Sequence, residues 1–202
     1  MKNLFSPSKN SGLTLRRVTI IVALLNLAYF FVEFTVAQKI GSVSLFADSI
    51  DFLEDTSVNL LIALALGWSV RNRARLGMVL AFILIIPALA LCWTAWQKFN
   101  MPTPPDPWLL SITGFGALVV NLSCAILLSK FRHHSGSLSK AAFLSARNDA
   151  LGNIAIIGAG LITYQWLSAW PDLVVGIAIA IMNADAAKEV WEAAREEHSA
   201  AP

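Results

Sequence analysis

Charge is scarce in this sequence, and its scarcity excludes most soluble folds. Asp, Glu, Lys and Arg make up 14% of the 202 residues, against about 25% in an ordinary soluble domain. Hydrophobic residues make up 56%, and the mean hydropathy is +0.63. The class that remains is an integral membrane protein. The basic residues form no patch outside short loops and the net charge is only +2, so no nucleic-acid partner is expected. Cysteine is scarcer still. Cys92 and Cys124 each sit inside an apolar run, where the expected role is a small buried hydrophobe and no disulfide is expected.

What the sequence has in quantity is long apolar runs. The first, Val18 to Ala37, exceeds the roughly 7–15 residues of a signal-peptide core and reads as a retained span. Six runs approach the ~20 residues that a bilayer core requires. They cover about 18–37, 43–66, 76–97, 108–129, 141–163 and 166–187, with Pro171 and Asp172 interrupting the start of the sixth. The expected fold is an all-α, integral membrane bundle of six transmembrane helices. It is organised as a tail over 1–15, a membrane domain over 16–188 and a short tail over 189–202.

The basic residues set the orientation. Lys2, Lys9, Arg16, Arg17, Arg71, Arg73, Arg75, Lys130, Arg132, Lys140, Lys188 and Arg195 fall on one side, and only Lys39 and Lys98 on the other. Both termini are therefore expected in the cytoplasm, and the chain is expected in the inner (plasma) membrane as a multi-pass protein. Trp93, Trp96, Trp108, Trp166 and Trp170 gather at the outer span ends, with Trp68 and Trp191 near the inner ends. This is the arrangement of an interfacial aromatic belt. The run MPTPPDP, Met101 to Pro107, is a stiff outer loop.

Acids inside the spans raise the functional question. A charge at the bilayer centre costs at least about 2.5–3.5 kcal/mol, yet ADSIDFLED, Ala47 to Asp55, carries Asp48, Asp51, Glu54 and Asp55. Asp48, Asp51, Asp55 and Asn59 draw one stripe along the second span. Glu54 lies about 100° off it. Asn26 and Glu33 share a face of the first span, two turns apart. Ser145, Asp149 and Asn153 share a face of the fifth, with Arg147 and Asn148 on other faces. The polar residues of spans three and four, chiefly Thr94, Ser111, Asn121 and Ser123, suit helix–helix packing. Asp51, Asp55 and Asp149 thus form a candidate divalent-cation site. Without a cation, three close carboxylates repel one another and take up protons. The competing reading of the same acids is neutralisation by Arg147 and by the asparagines.

At these residues the chain resembles a known family. Asn26 and Glu33, then GSVSLFADSIDFLED, AAFLSARNDALGNIAII and PDLVVGIAIAIMNADAAKEV are similar to the membrane domain of the cation diffusion facilitators, over about residues 16–195. The resemblance implies export of a divalent metal from the cytoplasm in exchange for protons, alternating access, a homodimer and no enzymatic activity. It implies a metal site of Asp51, Asp55, Ser145 and Asp149, with Asn26, Glu33, Asp48, Glu54, Asn59, Arg147, Asn148 and Asn153 in the pathway or around the site. No cofactor is implied; the metal is substrate, with zinc, manganese, iron, cobalt and cadmium not distinguished. Ser145 stands where the family has His or Asp. A hydroxyl is a poor zinc ligand, and an all-oxygen site leans towards harder ions. Arg147 is also unexpected, and is placed to pair with Glu54 or Asp48. The family usually carries a cytoplasmic domain after span six. The sequence stops at Pro202, so dimerisation is expected to rest on the membrane helices. His133 and His134 read as a solvated loop.

Two other functions compete for the same residues. An intramembrane aspartyl protease would need two acids sharing a proton on facing helices, but Ala146, Arg147 and Asn148 precede Asp149 where such proteases have glycine. A non-transporting relative would neither bind nor move metal.

Overall fold

The structure is a computed structural model that describes residues 9–65, 89–131 and 137–182. Six helices run through them: α1 Lys9–Ile40, α2 Val43–Ala65, α3 over 89–100, α4 Pro107–Ser129, α5 Ser137–Trp166 and α6 Trp170–Met182. The first part of the expected third span, the loops carrying Arg71, Arg73, Arg75, Arg132, His133 and His134, residues 1–8 and the C-terminal tail lie outside the described residues, while the second half of the expected N-terminal tail is helical, α1 starting at Lys9.

The breaks between helices follow local chemistry. α1 and α2 turn back on each other at Gly41, whose φ of 63° is a left-handed conformation that glycine adopts without steric cost. Asp106 caps α4 by accepting from the Leu109 amide at 2.8 Å, and Pro107 follows at the first helical position, where its missing N–H costs nothing. α5 continues to Trp166, past the end of the apolar run. The turn into α6 falls at 167–169, with Leu167 in a left-handed conformation (φ 38°). Pro171 sits in the first turn of α6, so it opens that helix and does not interrupt it.

α1 packs along α2 and α4 along α5; contacts of α1 with α4 and of α2 with α5 close these four into a bundle. One apolar cluster, including Leu45, Phe46, Leu110, Ile156, Leu173 and Ile179, fills the end near the α1–α2 turn. A second, with Val22, Ile62, Cys124 and Leu128, fills the opposite end.

Between the clusters the usual order is inverted. Asn26, Glu33, Asn59 and Asn153 are each 0% exposed and Asn121 2%, while Leu24 is 60% and Phe31 61% exposed. The outer face of α4 likewise presents Ile112, Phe115, Val119 and Ile126. Polar inside and apolar outside is the arrangement for a lipid surround. By length and composition, Leu15–Ile40 and Pro107–Ser129 are each long and apolar enough to cross a bilayer.

α6 reaches the start of α2 through a contact only glycine permits. A Cβ on Gly176 would lie 2.6 Å from the Val43 carbonyl carbon, whereas one on Gly158 would meet nothing within 4 Å. Gly176→Ala is therefore expected to destabilise the fold by about 1–3 kcal/mol and Gly158→Ala to leave it unchanged or firmer. Thermal unfolding of the two variants in detergent checks this, and equal melting temperatures would refute it.

Candidate cation site

The bundle interior holds three polar layers, ordered by the antiparallel course of α1 and α2. Asn26 and Asp55 form one layer. Glu33 and Asp48, each seven residues nearer the turn, form a second about 10 Å away. The turn itself, held by α3 and α6, is the third.

In the first layer, Ser145 of α5 donates its hydroxyl to Asp55 Oδ1 at 2.9 Å, and Asn26 of α1 reaches Asp55 Oδ2 at 3.5 Å. The thiol of Cys124 on α4 points to Asn26 Oδ1 at 3.7 Å. Four helices thus converge on one carboxylate that is 5% exposed. Asp51 and Asp149 are partly exposed and lie within electrostatic reach of each other and of Asp55. Among the described residues, no three Asp, Glu, His or Cys side chains stand close enough together to hold an ion. The stripe converges, then, with its acids set wider than ligand spacing.

In the second layer, Asn153 Nδ2 donates to Asp48 Oδ2 at 2.5 Å, and Asn121 Nδ2 donates to Asn153 Oδ1 at 3.0 Å. Asn121, which the sequence assigns to packing, is the relay that orients Asn153. Glu33 faces Asp48 without a donor on either oxygen. Beside this layer, the Tyr29 hydroxyl donates to the Thr113 carbonyl at 2.7 Å. Asn59 donates to the Asp55 carbonyl of its own helix at 2.9 Å, so its amide serves α2 and not the cavity.

Arg147 does not meet the acids. It is exposed and donates to Asn148 Oδ1 at 3.2 Å. The expected pairing with Glu54 or Asp48 is absent because Arg147 is two residues from Ser145, about 200° around the helix. Asn148 is exposed with it, and Glu54 is partly buried.

The third layer escaped sequence reasoning. Asp172, 0% exposed, accepts from the Ser42 and Ser44 hydroxyls, both at 2.6 Å, and from the backbone amides of Val43 at 2.9 Å and Ser44 at 3.1 Å. It caps α2 from another helix, supplying acceptors and negative charge where α2 has unpaired N–H groups. Lys98 Nζ lies 3.5 Å from Asp172 and also donates to the Gly41 carbonyl. Burial pushes the Lys98 ammonium below its ordinary value, and Asp172 draws it back up. An acid in the first turn of an apolar helix, matched with one of the two lysines set apart from the basic side of the sequence, was the available signal.

Residues 19–196 match the cation efflux transmembrane domain family. The chain belongs to the cation efflux, or cation diffusion facilitator, family. It is 27% identical over 157 residues to the zinc transporter ZitB of Escherichia coli K12, covering 71% of this chain and 50% of that protein. It is 31% identical over 159 residues to the cation-efflux pump FieF of Salmonella typhi, covering 70% and 52%. The chain spans about half the length of the curated relatives it matches. Membership places residues 19–196 in a transmembrane-domain family and lends nothing to the protease reading.

The clamp has a direct test. Asp172→Ala leaves Lys98 buried without its partner, a loss that typically costs about 3–5 kcal/mol. Asp172→Leu combined with Lys98→Met is expected to recover much of that loss. Thermal unfolding of the single and double variants in detergent measures the coupling, and additive losses would count against the clamp.

Proposed function

We propose that this protein exports a divalent metal cation from the cytoplasm in exchange for protons, through a site of Asp51, Asp55, Ser145 and Asp149 between α2 and α5. The observation that carries the reading is the hydrogen bond from Ser145 to Asp55, which ties the two acid-bearing helices at the centre of the stripe. Two carboxylates four residues apart on α2, and a third on α5, supply oxygen ligands of the kind divalent cations take. The distances outside ligand range describe an open arrangement, and a small approach of α5 to α2 would close it around an ion. When the ion leaves, the carboxylates repel one another and protons take its place, so cation and proton movement are coupled at one set of oxygens.

The proposal includes six spans in the bacterial inner membrane, both termini in the cytoplasm and a homodimer formed through membrane helices. The distribution of basic residues supports the orientation. The named relatives support metal as the cargo, zinc in the case of ZitB. Ser145 argues for a wider or harder range here, since oxygen-rich sites suit manganese and ferrous iron better than they suit zinc. No resident cofactor is needed; the metal is the substrate.

Proteoliposomes with an internal pH dye test the whole reading. Manganese, ferrous iron, cobalt, zinc and cadmium are added singly across a fixed pH gradient. Metal-evoked proton flux is expected for some of these ions. It should vanish in Asp55→Ala and Asp149→Ala and be changed less in Glu54→Gln. Full activity in Asp149→Ala would sink the site assignment, and no flux with any ion would favour a role without transport. In the same assay Ser145→His should raise the zinc rate relative to manganese, and an unchanged ratio would count against the selectivity argument.

A further inference from the structure

The proposed cation site leaves one pair of acids unused. Glu33 is 0% and Asp48 1% exposed. Neither carboxyl oxygen of Glu33 meets a donor, nor does Asp48 Oδ1. The Asn26–Asp55 contact sets the register of α1 against α2, and seven residues further along each antiparallel helix this register places Glu33 opposite Asp48. Two ionised carboxylates are acceptors only, and like charges buried opposite each other cannot both persist. One proton between them resolves both conflicts. Asn153 donates to Asp48 Oδ2 and so favours the anion on Asp48, which leaves the proton on Glu33.

We propose that Glu33 and Asp48 share one proton in the cation-free protein and release it when a divalent cation binds at the Asp51–Asp55–Asp149 site. The inference rests on the exchange reading above and deepens it: one exchanged proton originates on a pair that does not touch the cation. The Glu33 O–H bond breaks heterolytically, the electrons stay on the carboxylate and the proton passes to water. The pair goes from one negative charge to two as the neighbouring site, whose nearest acid Asp51 is one helical turn from Asp48, gains two positive charges, and the field of that ion favours the change. The ionisable groups that face the pair are Tyr29 from α1, Asp51 and Asp55 from α2, and Asp149 from α5. None of these is a cation. α4 contributes only the amide of Asn121, through Asn153. Among the described residues the charged groups of α3 and α6 are Lys98 and Asp172, which are engaged with each other at the turn.

Calorimetric titration of the full chain in detergent with zinc or manganese chloride, in two buffers of different ionisation heat, counts protons released per ion bound. The parent is expected to release protons. Glu33→Gln should bind the ion and release about one proton fewer. Asp48→Asn should do the same, since its amide can donate to an ionised Glu33, and it serves if Glu33→Gln fails to fold. Either folded variant releasing as many protons as the parent would overturn the shared proton while leaving exchange intact. A parent that binds metal and releases none would overturn the exchange reading and this inference with it.

Discussion

Everything inside this bundle follows from the cost of burying a polar side chain where no cation stands beside it. An unpaired buried polar group costs of the order of 1–3 kcal/mol, and a charged one more. Among the described residues a single lysine, Lys98, makes an ion pair, and it is spent at the turn. The acids of α2 must therefore be served by neutral donors. The fold supplies them one by one: Ser145 and Asn26 for Asp55, Asn153 for Asp48, and Asn121 to orient Asn153. The donors come from α1, α4 and α5, so satisfying α2 fixes how the other three helices are rotated. Among the described residues a deficit remains on Glu33, on one oxygen of Asp48 and on the amide oxygen of Asn59, and its acidic part is where the proposed exchange would bring in mobile positive charge.

α2 is common to all three layers. Its N-terminus is held by Asp172 of α6, its second turn carries Asp48, and its middle carries Asp51 and Asp55. A rigid helix transmits displacement along its length, so the clamp at the turn and the stripe at the centre move together or not at all. The close approach at Gly176 makes the linkage tight, because there is no side chain between α6 and the first residues of α2 to absorb a shift. Under the proposed function, an ion that draws α5 towards α2 would act on a helix already anchored at one end.

Much of this could be read from spacing alone. Residues three, four and seven apart share a helix face, so Asp48, Asp55, Asn26 and Glu33 declared themselves as stripes, and their inward orientation follows from the cost of exposing them to lipid. Spacing could not show which stripe meets which. That Asn153 serves Asp48 while Ser145 serves Asp55 depends on the relative height of α2 and α5, which is set by tertiary packing. Asp172 was misread for the same reason. Within its own helix it is an acid beside a proline, and only the position of α2 turns it into a cap. Arg147 went astray in the opposite sense: sequence proximity to Asp149 suggested a partner, and helical geometry turned it outward.

The hydroxyl of Ser145 gives the first layer a property that a ring nitrogen would not. A serine oxygen donates one hydrogen and keeps two lone pairs. It can hold its bond to Asp55 and still offer an electron pair to an ion between the helices. An imidazole nitrogen either carries hydrogen or binds metal. Replacing nitrogen with this oxygen therefore keeps α2 and α5 joined through both states of the site and removes the one ligand that most favours zinc. It also takes away a side chain whose unperturbed pKa lies in the physiological range. Under the proposed exchange, any proton carried here must then reside on carboxyl groups, and the register of α1 against α2 sets two of them, Glu33 and Asp48, opposite each other.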